Sequence, residues 1–199
     1  MVDQRSDLGQ AAVDQIFDQM ASQREELFAE LAGLTAEQLW WRPAPGEWSI
    51  GENVDHLRAV YLSFLPFLRF AWVVVRPMAQ LRRAKPYQTG IDNVYRRPSF
   101  PQKVGWLFPS RYTPQRPAAL DALYAGVREA HAQAAAFYAG KDADVLGHVI
   151  LWDPAIGVVN LIQALRIAVY HDEVHIDTIR KMIQAVRASH IVPPLTSRG

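Results

Sequence analysis

The chain has 199 residues, with 21 Lys and Arg against 20 Asp and Glu, a formal net charge of +1, 50% apolar residues and 21% charged ones. That is enough chain for one full core, so a single domain over residues 1–199 is expected, and the balance excludes the depleted, highly charged composition of disorder. Near-neutrality supplies no global field toward nucleic acid or anionic lipid, and the lack of any cysteine excludes disulfides, thiolate metal ligands and a protein thiol nucleophile.

The opening residues Met1 to Asp7 are polar and acidic with no apolar run behind them, which predicts a cytoplasmic location. From about Leu8 to Leu31, Val13, Ile16, Phe17, Met20, Leu27, Phe28 and Leu31 recur at steps of one, three, four and seven, the spacing of a first helix that Gly33 ends. Thr35 with Gln38 begins a short helical turn, which Pro43, Pro45 and Gly46 must break. Ser49 and Glu52 have the form of a capping box and start helix two. It runs through His56, Leu57, Val60, Tyr61, Phe64 and Leu68, kinks near Pro66 and ends close to Pro77. The apolar stretch Ala59 to Val75 is interrupted by Pro66 and Arg69 and is short for a membrane span. It is expected to be a deeply buried helix, with a subunit interface as a further use of its surplus apolar surface.

Arg82, Arg83 and Lys85 form a basic cluster that Arg96 and Arg97 extend. No aromatic-interleaved nucleic-acid motif accompanies it, so it reads as solvated surface. From about Ala84 to Pro117 the chain holds Pro86, Pro98, Pro101, Pro109, Pro114 and Pro117 among Tyr87, Tyr95, Phe100, Trp106, Phe108 and Tyr112. A flexible linker would be poor in aromatics, so this segment is expected to pack back on the helices or to line the mouth of a pocket. Helix three spans about Pro117 to Tyr138, with Leu120, Leu123, Val127, Ala130, Ala134 and Phe137 on one stripe. After a loop through Asp142, Asp144 and Pro154, helix four spans about Gly157 to Arg187. Four long helices without a strand signal predict an all-α, antiparallel four-helix bundle with an extended Pro- and aromatic-rich segment between helices two and three. The interior of such a bundle is where facing helices build metal and ligand sites.

His171 and His175 are four residues apart, about 40° around the helix, so their side chains lie one above the other and can chelate one ion. Two histidines so spaced are equally compatible with an exposed face. His56 lies in an apolar stripe, where a hydrogen-bonded core histidine is the competing explanation. Taken together the three favour neutral imidazoles around Zn, Ni or a similar borderline ion, since carboxylate-rich shells suit Mg or Ca. Three protein nitrogens would leave a position open, as catalytic sites do. Glu52, Asp172 and Glu173 are candidates to orient the imidazoles, against readings as a cap and as solvated charges. Asn160, eleven residues before His171 and about 20° away around the helix, is a candidate substrate-binding group, against a structural hydrogen bond. His131, His148 and His190 have no such context and are set aside.

Two fragments carry a resemblance. Leu34-Thr35-Ala36-Glu37-Gln38-Leu39, Trp41-Arg42-Pro43-Ala44-Pro45-Gly46-Glu47-Trp48-Ser49-Ile50 and Val54-Asp55-His56-Leu57 together resemble the N-terminal signature of the DinB-like superfamily of metal-binding four-helix bundles. Asp153-Pro154-Ala155-Ile156-Gly157, Asn160-Leu161 and His171-Asp172-Glu173-Val174-His175 resemble its second signature, so the likeness covers about residues 10 to 185. It implies Zn or Ni bound by His56, His171 and His175, and a homodimer. The activities it implies are those of thiol-dependent transferases using bacillithiol or mycothiol, of a maleylpyruvate isomerase and of hydrolases. The extended segment departs from the compact members, and Asp153 stands where the family often has histidine.

The expected function is therefore a metal-dependent hydrolase or low-molecular-weight-thiol S-transferase acting on a small molecule, with no nucleic-acid or membrane partner. The ion would make a water or thiol nucleophilic near neutral pH. The competing expectation is a non-catalytic binding module in which the metal cross-links helices two and four.

Overall fold

The computed structural model describes residues 2–98, 119–153 and 156–189. Among these are six helices: α1 (Val2–Leu31), α2 (Ala36–Trp40), α3 (Ile50–Arg82), α4 (Leu120–Tyr138), α5 (Ala143–Leu146) and α6 (Leu161–Ser189). Four of them are long, and these make the body of the protein: α1 packs on α6, and α3 packs on both α4 and α6. Helix α1 buries Val13, Ile16, Met20, Leu27 and Leu31, the periodic positions. It starts earlier than Leu8 because nothing in the polar leader breaks a helix. Both short-helix and α3 starts are capping boxes, Thr35 with Gln38 and Ser49 with Glu52, and Trp40 lies so close over Gly51 that a side chain there would overlap its ring.

Helix α3 continues through Pro66 and Pro77 to Arg82, further than its prolines suggest. Each proline forfeits one backbone bond, and burial of Ala71 and Ala79 on the packed side holds the helix through the gap. Its surface half departs from the expected deep burial: only 28% of its most apolar stretch is buried, with Phe70 66% and Leu81 82% exposed.

The loop expected before helix four contains α5 and an antiparallel hairpin, β1 (Ile150–Asp153) with β2 (Gly157–Asn160). Residues 157–160 are therefore strand and not the first turn of helix four. Leu151 and Val159, directly paired, face the core while Ile150, Trp152 and Val158 face out, a period of two that wins over the helical spacing of a short apolar run. Gly157, at φ +97°, supplies the left-handed residue beside the turn, and the Asp153 carboxylate accepts the Ile156 N–H at 2.9 Å.

Beyond α3 the chain runs along α6. Asn160 Nδ2 donates to the Gln88 carbonyl at 2.8 Å, Gln163 Nε2 to that of Gly90 at 2.9 Å, and Tyr170 Oη to that of Ile91 at 3.1 Å, ending in a 3-10 turn at Val94–Arg96. Of the extended Pro- and aromatic-rich segment, residues 99–118 lie outside the described structure, and so do Pro117 and the start expected there for helix three. Tyr87 anchors this strap with its ring against Gly9 and Gly147, where any Cβ would overlap it. Gly147→Ala is accordingly expected to cost about 1–3 kcal/mol by overpacking, measured by urea unfolding. A change within about 0.3 kcal/mol would mean that Tyr87 moves freely.

The apolar interior falls into two clusters. One is centred on Ile16, Met20, Leu65, Leu161 and Ile162, the other on Leu27, Leu31, Val54, Ile176 and Ile179. Between Leu57 and Tyr61 on α3, and between Val169 and Ile176 on α6, the sequence crosses from one to the other. The polar residues of the candidate site lie at this seam.

Candidate metal centre

The imidazoles of His56 on α3 and of His171 and His175 on α6 converge, each offering one nitrogen, with the three nitrogens within 4.8 Å of one another. The ring centroids are 5.2 Å apart for His56 and His171, 4.5 Å for His56 and His175, and 4.6 Å for His171 and His175. His56 Nε2 and His171 Nε2 stand 3.3 Å apart. Two nitrogens bound tetrahedrally at about 2.0–2.1 Å from one ion are about 3.3–3.4 Å apart, so this pair already has the spacing of co-ligands.

Asn53 fixes the third ring. Its Nδ2 donates to the Ser49 carbonyl at 2.9 Å, which turns Oδ1 toward His175 Nδ1 at 3.1 Å. An acceptor there requires the proton on Nδ1 and leaves the Nε2 lone pair free for an ion. Burial, then the neighbouring His171 and His56, push the His175 pKa down to about 2, so its ring is neutral at ordinary pH. Trp48 packs on two of the rings, 4.7 Å from His56 and 6.4 Å from His175, and Tyr95 of the strap lies 5.8 Å from His171.

Behind His171 sits a buried carboxylate. Asp172 is 3% exposed, and its Oδ2 accepts from Tyr61 Oη at 2.8 Å. Its Oδ1 is 3.6 Å from His171 Nδ1, and its Oδ2 is 3.6 Å from His131 Nε2, both beyond hydrogen-bond length. His171 Nδ1, His131 Nε2 and Asp172 Oδ1 are buried, with no hydrogen-bond partner among the described residues. A ring whose Nε2 is drawn onto an ion would present Nδ1–H to this carboxylate, so the residues present fit a bound cation. Burial raises the Tyr61 hydroxyl pKa well above its usual value, with the Asp172 charge adding to it, so Tyr61 remains a donor. His131 is held below its usual pKa, chiefly by burial. Arg24 stands 3.4 Å from its Nδ1.

Of the other expected site residues, Glu52 completes the α3 capping box and pairs with Arg42. Partial burial opposes its ionisation, but the Ser49 amide and hydroxyl and the Arg42 guanidinium keep its carboxyl below the ordinary pKa. Glu173 accepts from Gln19 and Gln23 of α1 and from Asn93 of the strap, at 3.2, 3.3 and 3.4 Å. Asn160 faces the metal centre by angle only. Eleven residues along a helix are about 16 Å of rise, too far to share a small substrate with His171. Its side chain instead caps α6, accepting from Gln163 N at 2.9 Å, and holds the strap. Sequence reasoning missed Asn53 and His131. His131 falls four residues after Val127 on the buried stripe of α4, and Asn53 lies three before His56, so periodicity held a signal for both.

The sequence model of the DinB superfamily matches residues 5–179. The chain belongs to the DinB superfamily. No curated protein and no solved structure matches it. Membership agrees with a mostly helical fold and with a histidine triad positioned to hold a metal ion. Among the described residues of this DinB-superfamily chain, no other group of three or more His, Asp or Glu has such an arrangement.

Proposed function

We propose that this member of the DinB superfamily is an antiparallel four-helix bundle that binds one divalent ion, Zn or Ni, through His56, His171 and His175, and uses it as a hydrolase or a low-molecular-weight-thiol S-transferase. The observation that carries the reading is the 3.3 Å approach of the His56 and His171 Nε2 atoms beside a His175 whose tautomer Asn53 dictates. Neutral imidazole donors without a carboxylate among them suit borderline ions. Such an ion, with a position left open, supplies Lewis acidity that makes a bound water or thiol nucleophilic near neutral pH. The chain's own part is orientation: Asn53 and Asp172 stand at the outer nitrogens of His175 and His171, while Trp48 and Tyr95 shield the rings from water.

Metal analysis of the purified protein tests this. About one equivalent is expected in wild type and less than about a tenth in His171→Ala, since losing one of three ligands removes most of the affinity. A metal-free wild type that takes up no Zn or Ni, or full occupancy in the variant, would sink the proposal. A non-catalytic, metal-stabilised binding module is favoured by one feature, the position of the histidines at the seam of two apolar clusters, where an ion ties α3 to α6. Chelation separates the readings. A loss of several kcal/mol with no turnover of thiol or ester substrates supports the strut, whereas turnover that chelator abolishes supports the enzyme.

A further inference from the structure

The surface half of α3 takes no part in the metal centre, yet it is the most apolar exposed feature of the described structure. Phe67, Phe70, Val74, Met78 and Leu81 follow one another at steps of three and four and so form one stripe, on the side opposite Tyr61, Leu65 and Ala79. All five are exposed, Val74 by 57% and Met78 by 61%. Soluble single chains rarely leave a stripe of this kind uncovered.

Charge around the stripe has one sign. From His56 to Pro98 the sequence holds eight Lys and Arg and a single acid, Asp92, in a chain whose total is +1. Val73, 72% exposed, widens the apolar face toward α4, and Arg69 and Arg76, seven residues apart, lie beyond it along that edge. Beside them is a shallow pocket of about 330 Å³ lined by Arg69, Trp72, Val73, Phe137 and Lys141. The Lys141 ammonium sits 5.2 Å from the Trp72 ring centre and 4.5 Å from that of Phe137. Its pKa is lowered by burial and then by Arg69. Among the described residues neither Arg69, Arg76 nor Lys141 has an acidic partner.

We propose that this face of α3 docks in the plane of an anionic lipid bilayer, with the stripe entering the headgroup boundary and Arg69, Arg76 and Lys141 meeting lipid phosphates. An apolar strip bordered by cations, with aromatic residues at the edge, is the chemistry that such an interface selects. Docking is in-plane because the other side of α3 is core, with Tyr61, Leu65 and Ala79 buried, and because Arg69 and Arg76 interrupt the stretch that would have to cross. Nucleic acid would satisfy the cations but leave Val74, Met78 and Leu81 with nothing to contact. A second copy meeting the same face across a two-fold axis would bring both sets of arginines together, with no Asp or Glu between His56 and Ile91 to neutralise them.

Vesicle flotation with the full chain tests the proposal, comparing phosphatidylcholine vesicles with ones containing about 30% phosphatidylglycerol. The protein is expected to float with the anionic vesicles only, and less as salt rises from about 0.05 to about 0.5 M. The pair Arg69→Gln with Arg76→Gln should weaken partitioning on the order of 25-fold, about fivefold per charge. Phe70→Ser with Val74→Ser should abolish it; both pairs are exposed, and unchanged helical circular dichroism verifies the fold. No flotation, equal flotation with neutral vesicles, or wild-type partitioning by both double variants overturns the proposal. So does a dimer in sedimentation that Phe70→Ser with Val74→Ser splits while wild type ignores vesicles, which would make the stripe a subunit interface. None of these readouts depends on whether the three histidines hold a metal.

Discussion

The metal-free protein is expected to lose stability steadily as pH falls below about 6.5, and His175→Ala is expected to flatten much of that slope. The folded-state pKa of His175, pushed down to about 2, lies below its ordinary 6.5, so between these values the unfolded chain binds a proton that the folded chain refuses. Stability is therefore fully present above about 6.5 and drains as pH falls toward about 2, at up to roughly 1.4 kcal/mol per pH unit for one such group. His131, also lowered by burial, pulls in the same direction. Urea unfolding of chelator-treated protein at several pH values between about 7 and 5 measures the slope. The same acid range should release bound metal, because protons compete for the imidazole nitrogens. A pH profile identical in wild type and His175→Ala would show that the ring is not buried neutral as the structure has it.

The second large effect is expected at Asp172. Asp172→Ala strands the buried Tyr61 hydroxyl, which costs about 1–3 kcal/mol, and leaves His171 Nδ1 with no carboxylate to face. Metal affinity should drop about 10–100-fold, as when the partner of a ligating histidine is removed. Competition against a chromophoric chelator reads the affinity of the protein that remains folded. Tyr61→Phe is the control: it removes the same 2.8 Å hydrogen bond while keeping the carboxylate beside His171. If Asp172 is purely structural, the two variants lose stability together and neither changes the affinity.

Helical periodicity reports which residues share a face, and it reports this well. The spacing of Val13, Ile16 and Met20, of Leu123, Val127 and Ala134, and of His171 and His175 fixed which residues each long helix turns inward. Capping boxes at Thr35 and Ser49 were equally local, since each is a bond between residues three apart. Height along the axis and contacts between helices are not local. The angle that aligned Asn160 with His171 ignored about 16 Å of rise, so a capping residue looked like a substrate ligand. Likewise Gly157 to Asn160 carried helical spacing, but pairing with Ile150 to Asp153 made them strand.

By itself the sequence determined the helical composition, the two fragments that mark the DinB superfamily and the three histidines, because residue type and short-range spacing are written in the chain. Only the tertiary structure decided what stands behind each histidine and which side of α3 meets water. Asn53 reaches His175 across 122 positions of sequence and Tyr61 reaches Asp172 across 111, and no local pattern encodes which distant side chain ends a hydrogen bond. The surface half of α3 is apolar on its packed side, at Leu65, Ala71 and Ala79, and on its bare side, at Phe70, Val74 and Met78, so its pattern held no signal for which of the two is left bare; that was settled by where α4 and α6 happened to pack.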